Sequence, residues 1–296
     1  MDVYQSVIIT GGGGMLAQDL KRVLRERGVT PILARRADCD IVDREQVARL
    51  FDKHRPTLVL NCAAHTGVDL CEDEPERANA INGDGPSNLA HFCRDFGARL
   101  VHFSTDFVFD GQSDRPYRPD DIPAPVSAYG KSKLIGEERI KQTSQLTWLT
   151  IRTAWLFGRH GNCFPQVILN RARAGHGLKV VADQIGCPTY SLDLAVAVIE
   201  LLDRGAKGIW HVSNSCPTNW FEFAKSILTE FHVSAEVTPI STADWVAMRP
   251  RQAKRPAYSV LDTSAFASLT GREMRDWRDA LRDYRTEVEK AHSEPA

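Results

Sequence analysis

Ser6-Val7-Ile8-Ile9-Thr10-Gly11-Gly12-Gly13-Gly14-Met15-Leu16-Ala17, followed by apolar residues at Leu20, Val23 and Leu24, is the stretch on which the fold turns. The β-branched run up to Thr10 reads as a short buried strand, and the spacing of Leu20, Val23 and Leu24 predicts a helix. Glycines between them permit a tight turn and let backbone approach a pyrophosphate, which would rest on the free N–H groups and positive end of the helix. Gly11 and Gly14 are expected to hold the turn, and Ala17 to stand where helix and strand pack. The pattern predicts a dinucleotide-binding unit.

A second strand, Pro31 to Ala34, ends in Arg35-Arg36. NAD-specific folds put an acid on the ribose 2′-hydroxyl at that place, whereas arginine suits a 2′-phosphate. NADP(H) is therefore the expected cofactor, with NAD(H) the second choice, and Asp40-Ile41 is expected near the adenine. The strand Leu58 to Asn61 delivers Cys62-Ala63-Ala64, small residues that leave room for a cofactor. Glu76 to Phe96 reads as helix with a kink at Asp84-Gly85-Pro86. Strands alternating with helices in this way predict an α/β fold, a doubly wound parallel sheet of Rossmann type. Its ligand site lies outside the carboxyl ends of the strands, where Gly11, Ala63 and Thr105 fall.

The chemistry is expected between Leu100 and Lys133. Leu100 to Ser104 reads as a strand, with Thr105 just past its end, and a helix opens near Ser127 carrying Tyr129 and Lys133. Side chains at this spacing share one helix face with Cβ atoms about 5–6 Å apart. An ammonium so close is expected to lower the tyrosine pKa and make the phenol a proton donor and acceptor near neutral pH. Thr105 can hydrogen-bond the same reacting oxygen. These three residues describe a carbonyl-reducing site.

After the strand Trp148 to Arg152 the alternation loosens. Helices are expected at Asn162 to Ala174, Leu192 to Leu202, Trp220 to Phe231 and Trp277 to Glu289, strands at Leu178 to Ala182 and Gly208 to Val212, and an irregular region at 239–262. The expected division is a dinucleotide-binding domain of residues 1–158 and 187–214, with a smaller α/β substrate-binding lobe of residues 159–186 and 215–296. A formal net charge of -1 offers no electrostatic footprint for nucleic acid or an anionic membrane. The seven cysteines lack any Cys-x-x-Cys pair, which argues for free thiols in a reducing compartment and against a structural metal. Met1-Asp2-Val3-Tyr4-Gln5 lacks a basic leader and Leu192 to Leu202 is too short and charged to span a bilayer, so a cytoplasmic protein is expected.

Over nearly its whole length the chain resembles the dTDP-4-dehydrorhamnose reductase family of the extended short-chain dehydrogenases/reductases. The stretches that carry the resemblance are Thr10-Gly11-x-x-Gly14-Met15-Leu16, Asn61-x-Ala63-Ala64-x-Thr66-x-Val68-Asp69, Glu74-Pro75-Glu76 leading to Asn82, and Ser104-Thr105-Asp106-x-Val108-Phe109-Asp110-Gly111. They continue with Tyr129-Gly130-Lys131-Ser132-Lys133-x-x-Gly136-Glu137, Arg152-Thr153-x-Trp155, Asp183-Gln184-x-Gly186-x-Pro188-Thr189-Tyr190 and Arg255-Pro256-x-Tyr258-Ser259-x-Leu261. The resemblance implies NAD(P)H-dependent reduction of the 4-keto group of dTDP-4-dehydro-L-rhamnose. It implies that Tyr129 donates the proton, Lys133 holds the nicotinamide ribose and Thr105 orients the carbonyl. Gly11, Gly14, Met15, Leu16, Asp40, Ile41, Ala63, Ala64 and Thr66 would line the cofactor, and Val68, Phe107 and Trp155 the sugar. Phe107 and His65 stand where the family has Tyr. A nucleotide-sugar partner follows, with a homodimer open. A 4,6-dehydratase would need an Asp-Glu pair after Thr105, but Phe107 follows Asp106. The remaining alternative is a non-catalytic regulatory subunit resembling that of methionine adenosyltransferase.

Overall fold

The computed structural model describes residues 3–249 and 251–293. Met1 and Asp2, the first two residues of the stretch read as lacking a basic leader, lie outside the described residues. Five strands alternate with helices over the first half: β1 (Val7–Thr10), β2 (Ile32–Ala34), β3 (Leu58–Asn61), β4 (Arg99–Thr105) and β5 (Trp148–Thr153). With Gly208–His211 they form one six-stranded sheet, in the order Gly208–His211, β5, β4, β3, β1, β2, and every pairing is parallel. The chain leaves β1 outward to β2 and returns to β3 on β1's other side. That reversal opens a crevice at the carboxyl ends of β1 and β3, where such sheets bind ligands.

Both faces of the sheet are apolar, as an all-parallel sheet requires. Ile9, Leu60 and Val101 pack under the Met15–Glu26 and Ser191–Asp203 helices, where Phe266 of the Ser264–Thr270 helix joins them. Ile8, Val59 and Leu100 face Val47 and Phe51 of the Arg44–His54 helix and Leu89 of Gly85–Phe96. A third core holds Phe157, Leu169, Phe223, Trp277 and Tyr284 together and belongs to the later chain. There Leu178–Val181 pairs in parallel with Val237–Ile240.

Several elements differ from expectation, among them the helix Arg44–His54, which was not expected. The region 239–262 is not wholly irregular: Pro239 sits in an edge strand, where a missing N–H is tolerated, and Thr242–Met248 is a helix whose Ser241 side chain accepts from the Asp244 N–H at 3.0 Å. The expected kink is a π-helical turn, Ala80–Asp84, between Pro75–Asn79 and Gly85–Phe96. Asn82 explains it. Buried in that turn, its amide donates to the His65 carbonyl at 3.0 Å and to Ser132 Oγ at 2.9 Å, and accepts from the His65 N–H at 2.8 Å. Thr105, finally, is the last residue of β4 rather than the first beyond it.

The helix Ala128–Gln142 is capped by Ser127, whose Oγ accepts from the Gly130 N–H at 3.1 Å. It is pinned to the sheet by a buried ion pair: Arg152 on β5 meets Glu137 at 2.7 Å, and the Ser104 hydroxyl donates to the same carboxylate. Removing one partner of such a pair strands a buried charge at a cost of about 3–5 kcal/mol. The helix face carrying Tyr129 and Lys133 is thereby held against β4.

Candidate active site

A cleft of about 880 Å3 runs along the carboxyl ends of β1, β3 and β4 and out to the third core. Gly11 turns at its head. With φ 64°, and with a Cβ there falling 2.7 Å from the Ala63 nitrogen, only glycine fits. The Gly14 N–H closes the turn on the Gly11 carbonyl at 2.8 Å, and no side chain caps the helix Met15–Glu26 that follows. An uncapped helix end of twelve residues behind a close backbone approach suits a pyrophosphate. A dinucleotide therefore fits the residues present.

Of the residues expected from the sequence, Gly11, Gly14, Met15, Leu16, Arg36, Asp40, Ile41, Ala63, Ala64, Thr66, Val68, Thr105, Phe107, Tyr129, Lys133 and Trp155 line this cleft. Arg35 does not. After β2 the chain turns at once, the Asp38 and Cys39 N–H groups donating to the Arg35 carbonyl while Arg35's own N–H donates to Asp38 Oδ2 at 2.9 Å. Its neighbour Arg36 borders the cleft, paired with Asp40 at 3.3 Å.

The expected ammonium–phenol contact is replaced by another arrangement. Lys133 Nζ donates to the Phe103 carbonyl on β4 at 2.6 Å and lies 3.3 Å from His102 Nε2. Burial pushes its pKa down to about 8, against the pull of Glu137 and Cys62. Tyr129 moves the other way: burial raises its phenol well above the ordinary range, with a hydrogen bond between it and Thr105 opposing the rise and Asp106 adding to it. Lys133 thus does not lower the Tyr129 pKa, because the strand beneath competes for the lysine's protons. A protonated phenol remains a proton donor. It can protonate an alkoxide without help, since an alkoxide is a far stronger base than a phenolate.

Around Tyr129 the wall is built from Val68 and Phe107, the latter ring edge-on to it at 5.6 Å and 74°. The Thr105 hydroxyl donates to Asp106 Oδ1 at 3.0 Å and accepts from the Phe107 N–H at 3.2 Å. Burial raises Asp106 to about 6, with the Ser259 and Thr105 hydroxyls opposing the rise. Facing this wall is an aromatic shelf. Trp155 stacks on Trp220 at 3.5 Å and 10°, and Phe164 lies 4.7 Å from Trp220. Trp155 holds a left-handed backbone, φ 47°, and its ring lies so near Gly186 that a Cβ there would stand 2.6 Å from it. That contact accounts for a glycine inside Asp183-Gln184-x-Gly186-x-Pro188-Thr189.

Trp220, Phe164, His160 and Arg255 line the cleft and were not expected there from the sequence. Trp220 and Phe164 read only as apolar helix positions, and nothing local marks them as facing a ligand. Arg255 stood within a recognisable motif without a role. In the structure its guanidinium meets Asp69 at 3.0 Å, next to Val68.

The family model of the RmlD substrate-binding domain matches residues 5–290. The chain is 41% identical over 285 residues to the spore coat polysaccharide biosynthesis protein SpsK of Bacillus subtilis, covering 96% of this chain and 98% of that one. It is 39% identical to the dTDP-4-dehydrorhamnose reductase of Mycolicibacterium smegmatis, over 94% of this chain and 84% of that one. Among solved structures, the dTDP-4-dehydrorhamnose reductase of Bacillus anthracis, in complex with NADP, superposes with a TM-score of 0.90 at 35% identity, over 95% of this chain and 99% of that one. The corresponding protein of Clostridium acetobutylicum gives 0.91 at 37%, over 96% and 100%. With a family model spanning residues 5–290 and relatives this similar end to end, the chain belongs to the dTDP-4-dehydrorhamnose reductase family.

Proposed function

We propose that this protein is an NAD(P)H-dependent reductase of a dTDP-linked 4-keto-6-deoxy sugar, converting dTDP-4-dehydro-L-rhamnose to dTDP-L-rhamnose. The observation that carries the reading is that Thr105, Tyr129 and Lys133 open onto the same cleft as the glycine-rich turn. A bound reduced nicotinamide supplies hydride to the sugar C4. Tyr129, held protonated by burial, gives its proton to the C4 oxygen as charge develops there, and Thr105 orients that oxygen. Lys133, fixed on Phe103, offers its remaining N–H to the cofactor ribose. Arg255 is the cation suited to the substrate's diphosphate, and Phe107, Val68 and Trp155 hold the sugar. Relatives named as reductases and biosynthetic proteins do not favour the regulatory-subunit alternative.

NADP(H) is the preferred cofactor in this reading, with Arg36 rather than Arg35 on the 2′-phosphate. Residues 1–158 and 187–214 form the dinucleotide-binding domain, which also gives Val68, Phe107 and Trp155 to the sugar, and 159–186 with 215–296 form the smaller lobe, although Phe266 packs back into the core of the sheet. Mixing the protein with NADPH and an enzymatically generated dTDP-4-keto-6-deoxy sugar tests the proposal. Sugar-dependent oxidation of the cofactor with formation of dTDP-rhamnose is expected. No oxidation with either NADPH or NADH would overturn it.

A further inference from the structure

Beneath Lys133 lies a histidine that the reaction does not use. His102 on β4 is fully buried, with Nδ1 at 3.0 Å from Asn61 Nδ2 and Nε2 at 3.3 Å from Lys133 Nζ. Its neighbours determine which ring nitrogen carries the proton. The Ala63 backbone N–H can only donate, and it donates to Asn61 Oδ1 at 3.2 Å, so that end of the Asn61 side chain must be the carbonyl oxygen. The Thr10 hydroxyl donates to the same oxygen at 2.7 Å. The Asn61 amide nitrogen, a donor only, therefore faces His102, and Nδ1 must accept. Burial keeps the imidazole well below its ordinary range, so the ring is neutral and holds one proton. That proton sits on Nε2, pointing at Lys133.

A neutral lysine amine has a lone pair that can accept from Nε2–H while its own N–H donates to the Phe103 carbonyl. An ammonium has none and would set N–H against N–H. We propose that His102 is a positioning residue for Lys133: with its tautomer dictated by Asn61, it presents Nε2–H to the lysine and so favours the amine over the ammonium where Nζ sits between Phe103 and the cleft. The other titratable groups acting on Lys133 are the Cys62 thiol from the end of β3 and Glu137 one turn on, whose charge is matched by Arg152 at 2.7 Å. Burial sets the lysine pKa at about 8, so the ammonium prevails below that pH and is lost above it, and an Nε2–H facing Nζ works in the same direction as the burial.

The kinetic part of the test rests on the reductase reading; the spectroscopic part does not. In cofactor-free protein labelled with 15N-histidine, a two-bond proton–nitrogen spectrum at neutral pH is expected to show His102 as the neutral Nε2–H tautomer, its signals assigned by their loss in His102→Leu. An Nδ1–H tautomer or an imidazolium overturns the proposal. In turnover, His102→Leu removes the N–H that opposes the ammonium, so the alkaline limb of kcat/KM should move up by about half a pH unit or more, the scale of one hydrogen bond. A histidine that merely fills space would lower kcat or stability and leave the limb in place, and an unmoved or lowered limb contradicts the assignment. Should His102→Leu fail to fold, Asn61→Asp serves instead. An aspartate oxygen accepts from Nδ1–H, so the His102 signals must switch to the Nδ1–H tautomer, and failure to switch overturns the proposal.

Discussion

The cleft has two sides built on different physical plans. The sheet side, from Gly11 through Asn61 and His102 to Lys133, consists of side chains whose polar atoms are tied to one another and to strand carbonyls. The lobe side, Trp155, Phe164 and Trp220, consists of stacked rings, one of them on a strained left-handed residue. Directional hydrogen bonds fix a proton donor to a fraction of an ångström, which hydride and proton transfer demand. Stacked rings define a shape with little directional preference, which suits selecting a sugar. The difference assigns chemistry to the sheet side and recognition to the lobe side, and substitutions on each should separate in kcat and KM.

The largest effect is expected at Tyr129. Tyr129→Phe removes the proton donor and should lower kcat by about 10²-fold or more, with sugar-nucleotide KM and cofactor affinity little changed. Steady-state kinetics decide it, and near-normal turnover would remove Tyr129 from the mechanism. On the other side, Arg255→Gln should raise the sugar-nucleotide KM roughly tenfold to a hundredfold, the loss of one charge-assisted hydrogen bond, while kcat holds. A fall in kcat with unchanged KM would place Arg255 among the chemical groups and erase the division.

Two smaller effects sharpen the boundary. Arg36→Ser should reduce the preference for NADPH over NADH by about tenfold, whereas Arg35→Ser should leave it nearly unchanged, as the ratio of kcat/KM for the two cofactors will report. An effect of Arg35→Ser equal to that of Arg36→Ser would contradict the turn geometry after β2. The smallest change is expected for Phe107→Tyr. A neutral hydrogen bond contributes about 0.5–1.5 kcal/mol, so kcat/KM for the dTDP-4-dehydro sugar should change by less than about tenfold. A larger gain would mean that the native wall is shaped for a different sugar.

The two sides were unequally legible in the sequence. On the sheet side the glycine turn, Ala63 and the Tyr129–Lys133 spacing are local patterns, and local patterns survive folding because turns and helices impose them. Even the unexpected helix Arg44–His54 was written there: Asp43 caps it by accepting from the Glu45 N–H at 2.9 Å, with Gln46 three residues on donating back to the cap at 2.7 Å. What local pattern could not reveal was the environment of each group. The Tyr129 pKa was expected to fall because helix spacing puts an ammonium near it, yet His102 and the Phe103 carbonyl, on a strand 31 and 30 residues before Lys133, draw the lysine away. The lobe side brings Trp155, Phe164, Trp220 and Arg255 together from separate segments, a convergence that only the tertiary fold determines.

Following a labelled hydride tests the central claim most directly. With NADPH deuterated at the transferring position of nicotinamide C4 and an enzymatically generated dTDP-4-dehydro-L-rhamnose, the nuclear magnetic resonance spectrum of the product should show a single deuterium at sugar C4. Deuterium at another carbon, or product formed without deuterium, would contradict the account.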